Sequence, residues 1–176
     1  MQFLHNLCMR IDAVNEWVGG IVSWATLLLV AVTFIDVVMR YSFNSSFVFT
    51  QEFEWHVFAF IFLMGAGYTL KTEGHVRVEV FYGRLSPKGK AWINFIGVLF
   101  FLIPSCVLFI KTAVPFVVQS YSVMEGSPDP GGIPYRFILK GLIPAGYALI
   151  LLQGISLGIN SFFVLIGFTG TNAKGA

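Results

Sequence analysis

Lys71-Thr72-Glu73-Gly74-His75-Val76-Arg77-Val78-Glu79-Val80-Phe81-Tyr82-Gly83-Arg84-Leu85-Ser86-Pro87-Lys88-Gly89-Lys90 is the one long charged interruption in an otherwise mostly apolar chain. It lies near the middle and separates two apolar halves. Over the whole 176 residues, 56% are hydrophobic and 11% charged, against ~25% charged in an average soluble domain. That composition predicts an all-α integral membrane protein, a single membrane domain over residues 1–176.

Upstream of the charged stretch, the run from about Gln51 to Leu70 reads as a span. Thr50 is placed to cap it, and Glu52 and Glu54 fall in its first turn, facing the positive end of the helix dipole. Glu52 and His56 are one turn apart, but two candidate ligands without a third make a poor metal site. Gly65 and Gly67, with Ala66 between them, predict a close helix-helix contact. Further back, residues 17–38 form another apolar run, too long for the hydrophobic core of a signal peptide and lacking a small-residue cleavage pattern after it. Asp36 interrupts that run near its far end, and Arg40 one turn on favours a structural pair over a coupling site, which normally wants its acid near mid-span. Before it, Leu4, Leu7, Ile11 and Val14 recur at three-to-four spacing among charges, which predicts a short amphipathic helix on the membrane surface.

Downstream, Ser86-Pro87 is a cap followed by proline at the first helical position. Residues 91–111 supply a third span ending on Lys111, whose ammonium can snorkel, and Pro104 predicts a bend. Apolar character persists to Met124, so this helix projects beyond the bilayer or turns along its surface. The segment from Glu125 to Pro134 is dense in turn formers and sits in a predicted loop over 112–137. The fourth span covers 140–165, where Gln153, Ser156 and Asn160 make a polar stripe; Gln153 and Asn160 are taken as helix-helix contacts, with a substrate path as the sharper alternative.

The two cysteines, Cys8 and Cys106, are far apart and offer no redox or metal spacing. The formal net charge of +2 comes from residues at the ends of apolar runs, not from a basic face, so nucleic acid is not an expected partner. No nucleophile-base-acid set or phosphate loop is present, and His5, His56 and His75 do not face one another within spans as haem ligation requires. With four spans, seven basic residues fall on the side of both termini and the central loop, and four on the other. The positive-inside rule then predicts cytoplasmic termini, a cytoplasmic loop at 71–90 and a periplasmic loop at 112–137.

Several segments together resemble a known family. They are Arg40-Tyr41-Ser42-Phe43, Gln51-Glu52 at a helix start, Gly65-Ala66-Gly67-Tyr68-Thr69-Leu70, and above all Gly74-His75-Val76-Arg77-Val78-Glu79-Val80 with Arg84-Leu85-Ser86-Pro87. The chain resembles the small, four-span membrane subunit of tripartite ATP-independent periplasmic (TRAP) transporters. The likeness covers nearly all of it and is most specific from Arg40 to Trp92.

The resemblance implies a bacterial inner-membrane protein with two partners: a large TRAP membrane subunit that carries the sodium and substrate sites, and a periplasmic substrate-binding protein. It implies no cofactor in this chain. The small subunit would pack on the scaffold of the elevator-like large one, for uptake of a small organic anion. Arg77, Val78, Phe81, Arg84, Leu85 and Lys88 suit an interfacial helix touching membrane lipids, although the alternation over 76–80 equally suits a strand. Glu125, Asp129 and Arg136 suit weak docking of the periplasmic protein. The alternative is a self-contained four-helix exporter working as a homodimer, for which Asp36 is misplaced.

Overall fold

The computed structural model describes residues 1–72, 82–83 and 85–167. Of the proposed interfacial residues, Arg77, Val78, Phe81 and Arg84 lie outside these, as does the choice between helix and strand at 76–80. The described residues are helical with no strand. Four helices are long and apolar enough to cross a membrane: α1 (Gln2–Phe43), α2 (Val48–Lys71), α3 (Pro87–Ser122) and α4 (Arg136–Leu165).

The N-terminal segment departs from expectation. Instead of a surface helix followed by a separate span, residues 2–43 form one uninterrupted helix of 42 residues. No proline occurs before Phe43, and the face carrying Cys8, Ile11, Asn15, Val18 and Gly19 is buried, so nothing breaks the helix and continuing it gains packing. It ends at Asn44 in the left-handed conformation (φ 49°, ψ 32°), one that asparagine tolerates better than most residues. The Ser45 N–H reaches back to the Met39 carbonyl at 3.2 Å.

Helix α2 also starts earlier than Thr50. Its N-cap is the extended Phe47, which offers no side-chain oxygen, and the carbonyl of Phe47 accepts from Thr50 N–H at 3.1 Å. Thr50 is therefore inside the first turn. In α3 the Ser86 hydroxyl accepts from Gly89 N–H at 3.2 Å with Pro87 in the first turn, a conventional start. The helix does not stop at Lys111; it runs to Ser122, so the connection to α4 occupies 123–135. Pro104 lacks the N–H that would bond Phe100, and its ring presses on that turn. The backbone accommodates it by widening to a π-helix over Val98–Leu102.

Of the four helices, α4 packs against all three others. Glycines make this possible. A Cβ on Gly146 would sit 2.6 Å from the Leu63 carbonyl oxygen of α2, and one on Gly154 would meet the Leu102 side chain of α3 at 2.3 Å. The widened stretch of α3 thus lies directly on the glycine face of α4, with Val98 over Gly158 at 3.3 Å from the same kind of Cβ position. Such small-residue contacts let backbones approach closely where lipid supplies no hydrophobic drive for helices to associate.

Candidate functional site

Two polar centres hold the bundle, one at each end of α2. At the first, Glu52 is buried on α2 and grips the 123–135 loop. Its carboxylate accepts from the Ser127 hydroxyl, from Ile133 N–H at 2.5 Å and from Arg136 at 3.5 Å. Gly132 passes beside it where any Cβ would strike both Ser127 and Glu52. Gly131 carries the positive φ of 84° that turns the chain back. Arg136 lies over the Trp55 ring at 5.5 Å, and its N–H donates to the Glu125 carbonyl at 2.8 Å. The Glu125 carboxylate is ion-paired with Lys140. Hydrogen bonding to Lys140 holds the Glu125 carboxyl below the usual carboxylate range. Asp129 stands exposed at the loop tip, its N–H donating to Ser127 Oγ at 3.1 Å.

Glu52 is therefore the anchor of a loop more than seventy positions away in sequence. His56 Nδ1 lies 2.6 Å from the Glu52 carbonyl rather than joining the carboxylate. Among the described residues no group of three or more His, Cys, Asp or Glu is arranged to hold a metal ion. Nearby on α1, Asp36 is buried and paired with the half-exposed Arg40 at 2.5 Å.

The second centre is a seam between α1 and α4, level with the last turns of α2. Asn15 Nδ2 donates to Gln153 Oε1 at 3.0 Å, and Gln153 Nε2 and Ser156 Oγ both donate to Asp12 Oδ1 at 2.9 Å. Cys8 Sγ approaches the Ser156 carbonyl at 3.8 Å. Asn15 is wholly buried, and its Oδ1 fills the space where a Cβ on Gly67 would be, 2.2 Å from that position. Gly65 of α2 faces Val22 of α1, and Gly19 of α1 lies under the Tyr68 ring. One turn on, Lys71 meets the exposed Glu16 at 2.8 Å, a surface pair of small energetic consequence.

Gln153 thus enters the seam, whereas Asn160, assigned by spacing to the same stripe, is exposed. Leu85 and Lys88 are exposed at the start of α3. Sequence reasoning missed Asp12, Asn15, Ser127 and Lys140 as partners. A signal existed for the first two: Cys8, Asp12, Asn15 and Gly19 recur at three-to-four spacing and make a small, polar face complementary to that of α4.

A bundle of four apolar helices whose buried polar groups fasten its own helices and one loop is a multi-pass membrane protein. Its sequence places it further: residues 29–163 match the family of tripartite ATP-independent periplasmic transporters, DctQ component, and the chain belongs to that family. It is also 29% identical over 142 residues, 80% of this chain and 84% of the relative, to a Haemophilus influenzae protein provisionally described as a TRAP transporter small permease protein. No solved structure gives a significant match.

Proposed function

We propose that this chain is the auxiliary small permease subunit of a sodium-coupled transporter that takes up a small organic anion. It packs on and steadies the scaffold of a large, elevator-type membrane subunit. It also helps dock a periplasmic substrate-binding protein. Both termini are cytoplasmic, so the Glu52-held loop faces the periplasm, in keeping with the bias of Lys and Arg.

The observation that carries this reading is where polarity is placed. Asn15, Gln153, Ser156 and Glu52 are buried in contacts within the chain, while Trp17, Trp24 and Phe34 of α1 and Phe100, Phe101 and Leu108 of α3 stand exposed. Such a surface suits lipid and a large apolar partner. The buried polar groups Asn15, Gln153, Ser156 and Glu52 are engaged in fastening the chain's own segments to one another, which supports a reading in which sodium coupling lies with the partner.

Co-purification tests the reading. With a tagged large subunit, Trp24→Glu combined with Leu28→Glu should sharply reduce recovery of the pair, as should charged substitutions at Phe81 and Leu85. A stable homodimer moving cations alone in vesicles would overturn it. Deleting residues 129–132 should raise the concentration of periplasmic protein needed for half-maximal uptake; unchanged kinetics would remove docking from this loop.

A further inference from the structure

Where α3 and α4 reach the 123–135 loop they form a half-open cavity of about 240 Å³ lined by Phe116, Gln119, Ser120, Val123, Glu125 and Lys140. It is smaller than the ~300–1,000 Å³ of sites that bury drug-sized ligands, so it fits a small polar group rather than a whole metabolite. Both signs of charge stand on its wall. Lys140 pairs with Glu125 and lies 4.0 Å from the centre of the Phe116 ring, and the two charged side chains remain 17% and 33% exposed. Ser120 is buried at the back. The surroundings are apolar and outward-facing: Phe116, Val123, Ile138 and, two turns down α3, Phe109 are all exposed. Polar groups at helix ends above an exposed apolar face are the arrangement of a membrane-water interface.

We propose that this cavity holds the headgroup of a zwitterionic phospholipid of the phosphoethanolamine type. The phosphate lies against the Lys140 ammonium and the Gln119 amide, and the lipid ammonium donates to the Glu125 carboxylate. The acyl chains descend along Phe116 and Phe109. An anionic headgroup without an ammonium would bring its charge against Glu125, and a simple cation would meet Lys140; a zwitterion satisfies both. Choline, whose quaternary nitrogen has no N–H to give Glu125, would meet it by charge alone and bind more weakly. The inference needs only the membrane-spanning reading and not the direction in which the loop faces.

The test is native mass spectrometry of the full-length chain in detergent, equilibrated with equal amounts of phosphatidylethanolamine, phosphatidylcholine and phosphatidylglycerol. Phosphatidylethanolamine should be retained about tenfold over the other two, the scale of one charge-assisted hydrogen bond. Glu125→Gln should erase that preference, and Lys140→Met should lower retention of every phospholipid. Gln119→Leu, which leaves the ion pair in place, should weaken phosphatidylethanolamine retention with helical content unchanged, and so provides a readout if either charge variant fails to fold. Equal retention of the three lipids by the unaltered chain, or an unchanged preference in Glu125→Gln, would overturn the proposal.

Discussion

The Glu52 clasp and the Asp12-Asn15-Gln153-Ser156 seam are both buried polar networks, yet they are built on opposite terms. The clasp is ionic and joins a helix to a loop, so Ser127 and Ile133 have no regular backbone to hold them once it opens. The seam is a network of amide, hydroxyl and carboxylate groups between two helices that each hold their own backbone shape, and it is reinforced by the glycine contact at Gly67. The clasp therefore shapes a local surface, whereas the seam sets how two rods lie against each other. Loss of one should be felt locally and loss of the other globally.

The largest expected effect comes from breaking the clasp. Glu52→Ala strips the Ser127 hydroxyl, the Ile133 N–H and Arg136 of their common acceptor, and part-buried polar groups left without a partner are costly. Hydrogen exchange should rise steeply over residues 125–135 while amides at 150–158 keep their protection. If both regions open together, the clasp is not local.

Next, Gly146→Leu drives a side chain into the Leu63 backbone of α2, where nothing flexible can yield. Overpacking of this kind costs ~1–3 kcal/mol or more. The thermal midpoint in detergent should fall, with the loop and helices melting together.

A smaller effect sharpens the seam. A double-mutant cycle of Asn15→Ala and Gln153→Ala should yield a coupling of about 0.6–2 kcal/mol, the range for hydrogen bonds between helices in membranes. A coupling of zero, read from reversible unfolding, would reduce the seam to packing.

The smallest is a pH effect. The Glu125 carboxyl is held below its usual range by Lys140, so the unfolded loop binds more protons than the folded one in that window. Closure of the loop is favoured above the ordinary carboxylate range and lost as pH falls through the lowered value. Trp55 fluorescence, with Arg136 on its ring, should report this on acidification, and Glu125→Gln should abolish that part of the response. The Asn15–Gln153 amide pair has no proton to exchange over the same range.

How much of this was legible follows from the range of each contact. Long apolar runs announce membrane helices because the bilayer demands them, and Ser86-Pro87 and Asp36-Arg40 are local enough to read directly. Glu52 was not legible: within its own turn it looks like a carboxylate near a helix N-terminus, and only folding brings Ser127 and Ile133 to it. Asp12 was not singled out because, as one of the charges among Leu4, Leu7, Ile11 and Val14, it suggests a wetted surface, although it faces α4 while Glu16 faces outward. Pro104 signalled a disturbance, but its relief appears as a widened turn just before it, placed where the glycines of α4 leave room.

The length of α1 carries a mechanical consequence. At ~1.5 Å per residue its 42 residues reach about 63 Å, roughly twice a hydrocarbon slab of ~30 Å. A rod this long must lean or protrude, and here it is pinned to α2 and α4 around Asn15 and Gly19 while its far end turns directly into α2. It works as a spar. A change in bilayer thickness should therefore alter its lean, and the Phe3 end and the Asn44 turn should shift together because both belong to one covalent beam.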